Sequence, residues 1–306
     1  MNRKEFILGS LLLPLVPRLE ALPGVPAVSE RKAMWKAKIP SSGELLGRVG
    51  LGTYKNFDVG NDEGKRQNLV RILNAFANAG GTLVDSSPMY GSSESVLGAA
   101  ASTADLVERL FVATKVWTQG QQEGERQMRD SMRKLNRKKL ELMQIHNLVD
   151  WKSHLRTIAK WKAEGIFKYV GITHYSVGAF AELEQVLKAH KFDFLQIPYS
   201  IAETEAERRL IPLAFDLGVA VVANEPFDKG RLFGRVRGKA IPTWAQEIGI
   251  TSWAEYFLKF ILASDQIQFV IPATSKLEHL ADNLRGGSGI VPNREQRSKM
   301  RNDWLA

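Results

Sequence analysis

Short apolar runs that break at a polar residue alternate with segments whose apolar positions recur every three or four residues, along most of this chain. The runs predict strands over 49–52, 82–85, 110–115, 140–146, 169–173, 194–198, 219–224 and 268–272. Helical spacing fills the gaps at 65–79, 94–101, 125–135, 153–164, 177–188, 203–216, 251–263 and 277–284. In the first of these, Leu69, Ile72, Leu73 and Phe76 keep the helical period until Gly80-Gly81 ends it, and Gly165 and Gly218 close later helices in the same way. Strands that alternate with helices build a parallel sheet. Eight such units, in a span of about 250 residues, predict an α/β fold of the (β/α)8 TIM-barrel type. Ahead of them, the polar turn Ser41-Ser42-Gly43-Glu44 after Ile39 reads as a β-hairpin closing one end of the core. No composition shift divides 39–306, which reads as one domain.

Three consecutive strands end on ionisable residues: Asp85, Lys115 and His146, with Tyr90 in the loop beyond Asp85. In a parallel barrel that edge carries the chemistry. An amine at the end of a buried strand needs a partner, and Asp85 is one strand away. A structural ion pair would account for both residues. A functional reading adds Tyr90: a lysine ammonium beside a phenol favours phenolate and draws its pKa down from about 10. A phenol so tuned exchanges a proton with an oxygen that alternates between carbonyl and alkoxide, and His146 can hold the same oxygen. That set suits carbonyl reduction or its reverse and calls for a hydride-bearing cofactor. Gly50-Leu51-Gly52 lacks a third glycine and an opening helix, which argues against a Rossmann site. After the last strand, Thr274-Ser275-Lys276 precedes a helix containing His279 and Asn283; hydroxyls before a helix serve either as a cap or as an anion site.

Composition adds a few limits. The net charge of +9 is spread along the chain without interleaved aromatics, so it does not suggest nucleic acid. With no cysteine among 306 residues, thiolate catalysis, disulfides and a cysteine-based metal site are excluded, and no other metal site is expected. The segment 1–28 has Arg3 and Lys4 before an apolar run too short to span a bilayer, then small residues and prolines. Asn2 to Leu8 resembles a twin-arginine export signal with lysine in the second position, which implies a periplasmic protein that crosses folded with its cofactor loaded. If the signal is not used, the protein is cytoplasmic. No stable membrane span and no obligate subunit interface are expected. The insertion 228–242, with Lys229, Arg231, Arg235, Arg237 and Lys239, reads as a lid, an anion contact or a solvated loop.

The motifs in combination resemble the aldo-keto reductase superfamily: Gly50-Leu51-Gly52-Thr53, Asp85 with Tyr90-Gly91 and Glu94, Ala113-Thr114-Lys115, Gln144-Ile145-His146, Gly171-Ile172-Thr173-His174, Gln196, and Ile271-Pro272 through Asn283. The resemblance covers nearly everything after Ile39. It implies reduction of an aldehyde or ketone with NADPH rather than NADH, with Tyr90 as general acid/base, Lys115 and Asp85 tuning it, and His146 orienting the carbonyl. It also implies cofactor contacts at Gly52, Thr53, Thr173, His174, Gln196, Asn224, Phe227, Thr274, Ser275, Lys276, His279 and Asn283, and a substrate mouth at Tyr54, Trp117 and Asn147. Thr173-His174 stands where Ser-Asn is common in the family. Asn224 stands where many members stack an aromatic ring on the nicotinamide. A cofactor-binding sensory protein and a barrel hydrolase are the competing classes; the first keeps the cofactor without turnover, and the second lacks a second catalytic acid at a strand end.

Overall fold

The structure, a computed structural model, describes residues 33–306. The export-signal-like segment 1–28 lies outside the described residues. Strand β1 (Lys36–Lys38) pairs antiparallel with β2 (Leu45–Gly47), as the hairpin reading expected, though the first strand starts ahead of Ile39.

Eight parallel strands follow, each hydrogen-bonded to its neighbour in chain order: β3 (Leu51–Gly52), β4 (Leu83–Asp85), β5 (Phe111–Val116), β6 (Leu140–His146), β7 (Phe167–Thr173), β8 (Phe194–Pro198), β9 (Ala220–Asn224) and β10 (Phe269–Val270). Two parallel bridges, Val49 with Val270 and Gly52 with Ala273, join the last strand to the first. Along this seam Gly50 N donates to Val270 O at 2.8 Å and Gly52 N to Pro272 O at 3.0 Å. A Cβ on Gly52 would stand 3.0 Å from the Ile271 carbonyl oxygen, so glycine is what lets the seam close there.

Helices α1 (Glu63–Asn78), α2 (Ser93–Thr103), α3 (Gln121–Lys134), α4 (Trp151–Ala163), α5 (Phe180–Ala189) and α6 (Leu210–Asp216) each lie between two strands, α7 (Arg231–Arg235), α8 (Thr243–Glu247) and α9 (Trp253–Leu262) lie between β9 and β10, and α10 (Leu277–Arg285) and α11 (Arg294–Leu305) follow β10. Side chains alternate across each strand. One set, Val84, Val112, Met143, Val170, Leu195 and Val221, packs outward in a cluster with helix residues such as Phe76, Met128, Ile158 and Phe257. The other set, Leu83, Phe111, Leu142, Tyr169, Phe194, Ala220 and Phe269, fills the interior. Burial on both faces explains why the strands read as unbroken apolar runs.

The hairpin is the floor of this interior. Ile39 and Leu46 belong to the inner cluster. The Tyr169 hydroxyl donates to Glu44 Oε2 at 2.5 Å and lies 2.7 Å from Ser42 Oγ, latching the turn to β7.

Several elements differ from expectation, among them the short helices α7 and α8, in and just after the segment read as an insertion. The helix expected over 203–216 is broken into a 3-10 turn, Glu205–Arg208, and α6. Pro212 accounts for this: it has no N–H, and in a continuous helix its ring would clash with the carbonyl of Arg208. The C-terminal helix α11 was not anticipated, although its capping box, Asn293 with Gln296, is written in the sequence.

Ile39 is fully buried, so truncating it hollows out the floor. Ile39→Ala is expected to lower unfolding stability by about 2–5 kcal/mol in urea titrations; a loss below about 0.5 kcal/mol would show that the hairpin does not seal the barrel.

Candidate active site

On β4, β5 and β6 the inward-facing row begins apolar at the floor and ends polar at the opposite rim. On β4 the row runs Leu83, Asp85; on β5, Phe111, Ala113, Lys115; on β6, Leu142, Gln144, His146. The register sets Asp85 beside Ala113 and Lys115 beside Gln144, so the polar groups climb the barrel wall in steps. Lys115 has no exposed surface. Its Nζ donates to Asp85 Oδ2 and to the Ser86 carbonyl, both at 2.7 Å. Gln144 Nε2 donates to Asp85 Oδ1 at 3.3 Å and to Gln196 Oε1 at 2.9 Å. Gln196 itself hydrogen-bonds Asp85. Burial alone would lower the Lys115 pKa; Asp85 and Tyr90 outweigh it and the net shift is upward. Burial pushes the Asp85 carboxyl up while Lys115 pulls it back. With three donors around the carboxylate, the proton stays on the lysine.

Tyr90 sits in the turn after β4, its ring centroid 5.1 Å from Lys115 Nζ, 6.1 Å from the His146 ring and 5.0 Å from the Tyr54 ring. Ser92 N and Oγ donate to Asp58 Oδ1 at 2.9 and 2.8 Å, which ties this turn to the loop after β3. Between them Gly91 has φ +59°, and a Cβ there would collide with the Asp58 carboxylate. The expectation of a lowered Tyr90 pKa is corrected by the structure: burial pushes the phenol up, and Lys115 opposes that rise without reversing it. Tyr90 is therefore a protonated phenol at neutral pH.

His146 is buried, with Nδ1 3.1 Å from Ser87 Oγ. Burial, reinforced by Lys115 and His174, depresses its pKa from 6.5 to about 2, so the ring is a neutral imidazole. Ser87 and Gln144 were not assigned to the site from sequence. Gln144 lies two residues before His146 on one strand and so shares its face, a signal that period-two alternation carries. Nothing local marks Ser87.

The other expected residues follow around the rim in strand order. Thr53 is fully buried and spends its hydroxyl on Ser86 Oγ at 3.0 Å, next to Gly52. Thr173 ends β7 and is buried. His174 N donates to the Gln196 carbonyl at 3.1 Å, its Nδ1 accepts from Ser176 N at 2.9 Å, and its ring stacks on Tyr175. Asn224 ends β9. Phe227 packs on Phe233 at 5.0 Å, inside the insertion, which contains α7. Thr274 Oγ1 accepts from Lys276 N at 3.1 Å in a local turn ahead of α10, whose N-cap, Lys276, makes no side-chain cap hydrogen bond, so the cap reading of that segment does not hold. The Ser275 carbonyl accepts from Asn68 Nδ2 at 2.7 Å. Lys276 and His279 are exposed at the start of α10, and Asn283 is buried within it. At the mouth, Tyr54, Met89 and Trp117 are exposed, and Asn147 has a left-handed φ of 55°.

The sequence matches the model of the aldo/keto reductase family over residues 48–291. The chain belongs to that family. It is 27% identical to a methylglyoxal reductase, YeaE, of Escherichia coli (strain K12), over 82% of this chain and 89% of that one. It is also 27% identical to the aldo-keto reductase str7 of Strobilurus tenacellus, over 76% and 79% of the two chains. An aldo-keto reductase from Klebsiella pneumoniae, solved in complex with NADPH, superposes with a TM-score of 0.74 at 22% identity, covering 89% of this chain and 95% of that one. Another from the same organism, solved with NADP and acetate, gives 0.72 at 23% identity, over 86% and 93%. These last two establish the shared barrel.

Within this family member, the neutral state of His146 has a measurable consequence. Below pH 6.5 the unfolded chain takes up a proton that the folded chain refuses until about pH 2. Stability therefore falls as pH falls through that window. Between pH 6 and 5 the protein is expected to lose about 1 kcal/mol more than His146→Gln does, read by urea unfolding at each pH. Parallel losses would mean that His146 is protonated in the fold.

Proposed function

We propose that this aldo/keto reductase family member is an NADPH-dependent oxidoreductase that reduces a small aldehyde or ketone to an alcohol, or runs the reverse. The observation that carries the reading is the fully buried Lys115–Asp85 pair beneath Tyr90, with a neutral His146 beside the phenol. A purely structural ion pair has no use for a tyrosine and an imidazole converging on the same spot.

The residues present fit a nicotinamide dinucleotide. Side-chain oxygens of Gln144, Asn147 and Asn224 have no hydrogen-bond partner among the described residues and leave hydrogen-bonding capacity for a polar ligand. Ser275, Lys276 and His279 at the start of α10, with Asn283, form a cationic, donor-rich end suited to the adenosine phosphate. The Lys276 charge favours NADPH over NADH, in line with the two Klebsiella pneumoniae structures.

A bound nicotinamide cofactor supplies the hydride. Tyr90 gives its Oη proton to the carbonyl oxygen as negative charge grows there. Lys115 stabilises the phenolate left behind, which is where its attraction counts, since before reaction burial holds the phenol protonated. Asp85 fixes Lys115 and keeps it charged. His146, neutral and held through Nδ1 near Ser87, presents its other nitrogen to the substrate oxygen and orients it. In the reverse direction the same phenolate accepts the alcohol proton. Tyr54, Met89 and Trp117 give the mouth an apolar rim, with Asn147 as a polar contact. That rim, with the name of the E. coli relative, supports small carbonyl compounds with little charge as substrates. In this reading one chain carries every group the reaction needs.

Tyr90→Phe keeps the ring and removes the proton. It is expected to lower kcat for aldehyde reduction by about 10²- to 10⁴-fold while leaving the NADPH Kd within about twofold, measured by fluorescence titration. A variant retaining more than about a fifth of kcat would remove Tyr90 from the chemistry.

A further inference from the structure

The loop that follows β5, residues 117–120, lies at the exposed mouth, yet it is tied at several points to the helices behind it. Gln127 of α3 holds Trp117 by both backbone groups: Trp117 N donates to Gln127 Oε1 at 2.6 Å, and Gln127 Nε2 donates to the Trp117 carbonyl at 3.1 Å. His154 of α4 is fully buried, and its Nε2 donates to the Thr118 carbonyl at 2.7 Å. Gly120 N donates to Asp150 Oδ2 at 2.7 Å. Asp150 is itself held, with Oδ1 accepting from Ser153 Oγ at 2.8 Å and a left-handed φ of +42°. Loops at a surface are ordinarily among the more mobile parts of a fold. Here three side chains supply four hydrogen bonds to the backbone of one short loop.

What these bonds hold in place is an indole. On β5, Phe111 and Ala113 lie in the inner cluster, and Lys115 follows on the same row. Alternation sets Trp117 on that row, one step nearer the mouth. Its side chain is 41% exposed, so the barrel packing does not fix it. Gln127 meets both backbone groups of Trp117 as the backbone of a neighbouring strand would, just beyond the point where β5 ends at Val116. No step of the proton transfer described above uses Trp117 or Gln127, so the pin serves something other than the chemistry at Tyr90.

We propose that Gln127 is a positioning residue for substrate selection: by fixing the backbone of Trp117 it makes the indole a rigid wall, against which the group carried by the carbonyl is sorted by shape. This deepens the reductase reading above and rests on it. A wall held from behind sorts ligands at low cost, because its backbone is ordered before substrate arrives. A flat apolar group gains from packing on it, and a group too short to reach the indole gains nothing.

The test is the ratio of kcat/KM for benzaldehyde to kcat/KM for propanal, with NADPH, in wild type, Gln127→Ala, Trp117→Ala and the double variant. The intrinsic reactivity of each aldehyde cancels when the ratio is compared between variants. Wild type is expected to favour benzaldehyde. Gln127→Ala is expected to lower the ratio roughly tenfold through the KM for benzaldehyde, leaving kcat for propanal and the NADPH Kd within about twofold. Trp117→Ala is expected to lower it at least as far, and in that background Gln127→Ala to change it no further, because the wall it supports is gone. A merely structural role would weaken both aldehydes alike. A wild type without the preference, a ratio unchanged in Gln127→Ala, or an equal fall in both backgrounds overturns the proposal while leaving the reductase reading intact. A wild type that reduces neither aldehyde with NADPH overturns both.

Discussion

A lysine ammonium with no contact to water is the constraint around which the upper half of this barrel is arranged. Removing such a charge from water is costly, and one ion pair rarely offsets the loss unless its remaining hydrogen bonds are also made. Here they are made. Lys115 reaches both Asp85 and the Ser86 carbonyl at 2.7 Å, and the second oxygen of Asp85 is held by Gln144. Gln144 in turn holds Gln196 two strands further round. Four strands thus share one polar network, and it exists only because the sheet closes and puts their inward faces within reach. The sealed floor below, with Ile39 and Leu46 over the aromatic layer, keeps water from entering behind it.

What the network does to Tyr90 is subtle. In the resting site burial dominates, and the phenol is harder to ionise than in water. The lysine does not produce a standing phenolate. In the proposed mechanism it lowers the cost of forming one at the moment a proton leaves. A stabilisation that grows with developing charge is of the kind that accelerates a reaction, as opposed to one spent equally on the ground state. In the same proposed mechanism the neutral imidazole of His146 offers a hydrogen bond without competing for the proton.

Much of this was legible in the sequence because the relevant period is short. Apolar runs that end at Asp85, Lys115 and His146 fix the strands, and period-two alternation then puts the last residues of neighbouring strands on one inner face. The shared inner face of Asp85, Lys115 and His146 follows from that, while the barrel comes from the strand–helix alternation, the hairpin from its polar turn and Tyr90 from the loop beyond Asp85. Other features depend on distances that no local pattern contains. The sign of the Tyr90 shift needs the balance between burial and a charge 5.1 Å from its ring. The engagement of Gln196 needs Gln144 across two strands. Ser87 beside His146 comes from a loop with no motif. The break before α6 was readable from Pro212, and α11 from its capping box, but neither touches the site.

The central claim is that hydride passes directly from a nicotinamide to a carbonyl carbon in this barrel, with the oxygen's proton coming from the enzyme. The most direct measurement is turnover of a panel of small aldehydes, methylglyoxal among them, with NADPH carrying two deuterium atoms at the reactive ring carbon, followed by mass spectrometry of the alcohol in ordinary water. Direct transfer predicts one carbon-bound deuterium in each product molecule. Unlabelled alcohol, or no alcohol from any member of the panel despite tight NADPH binding, would contradict it.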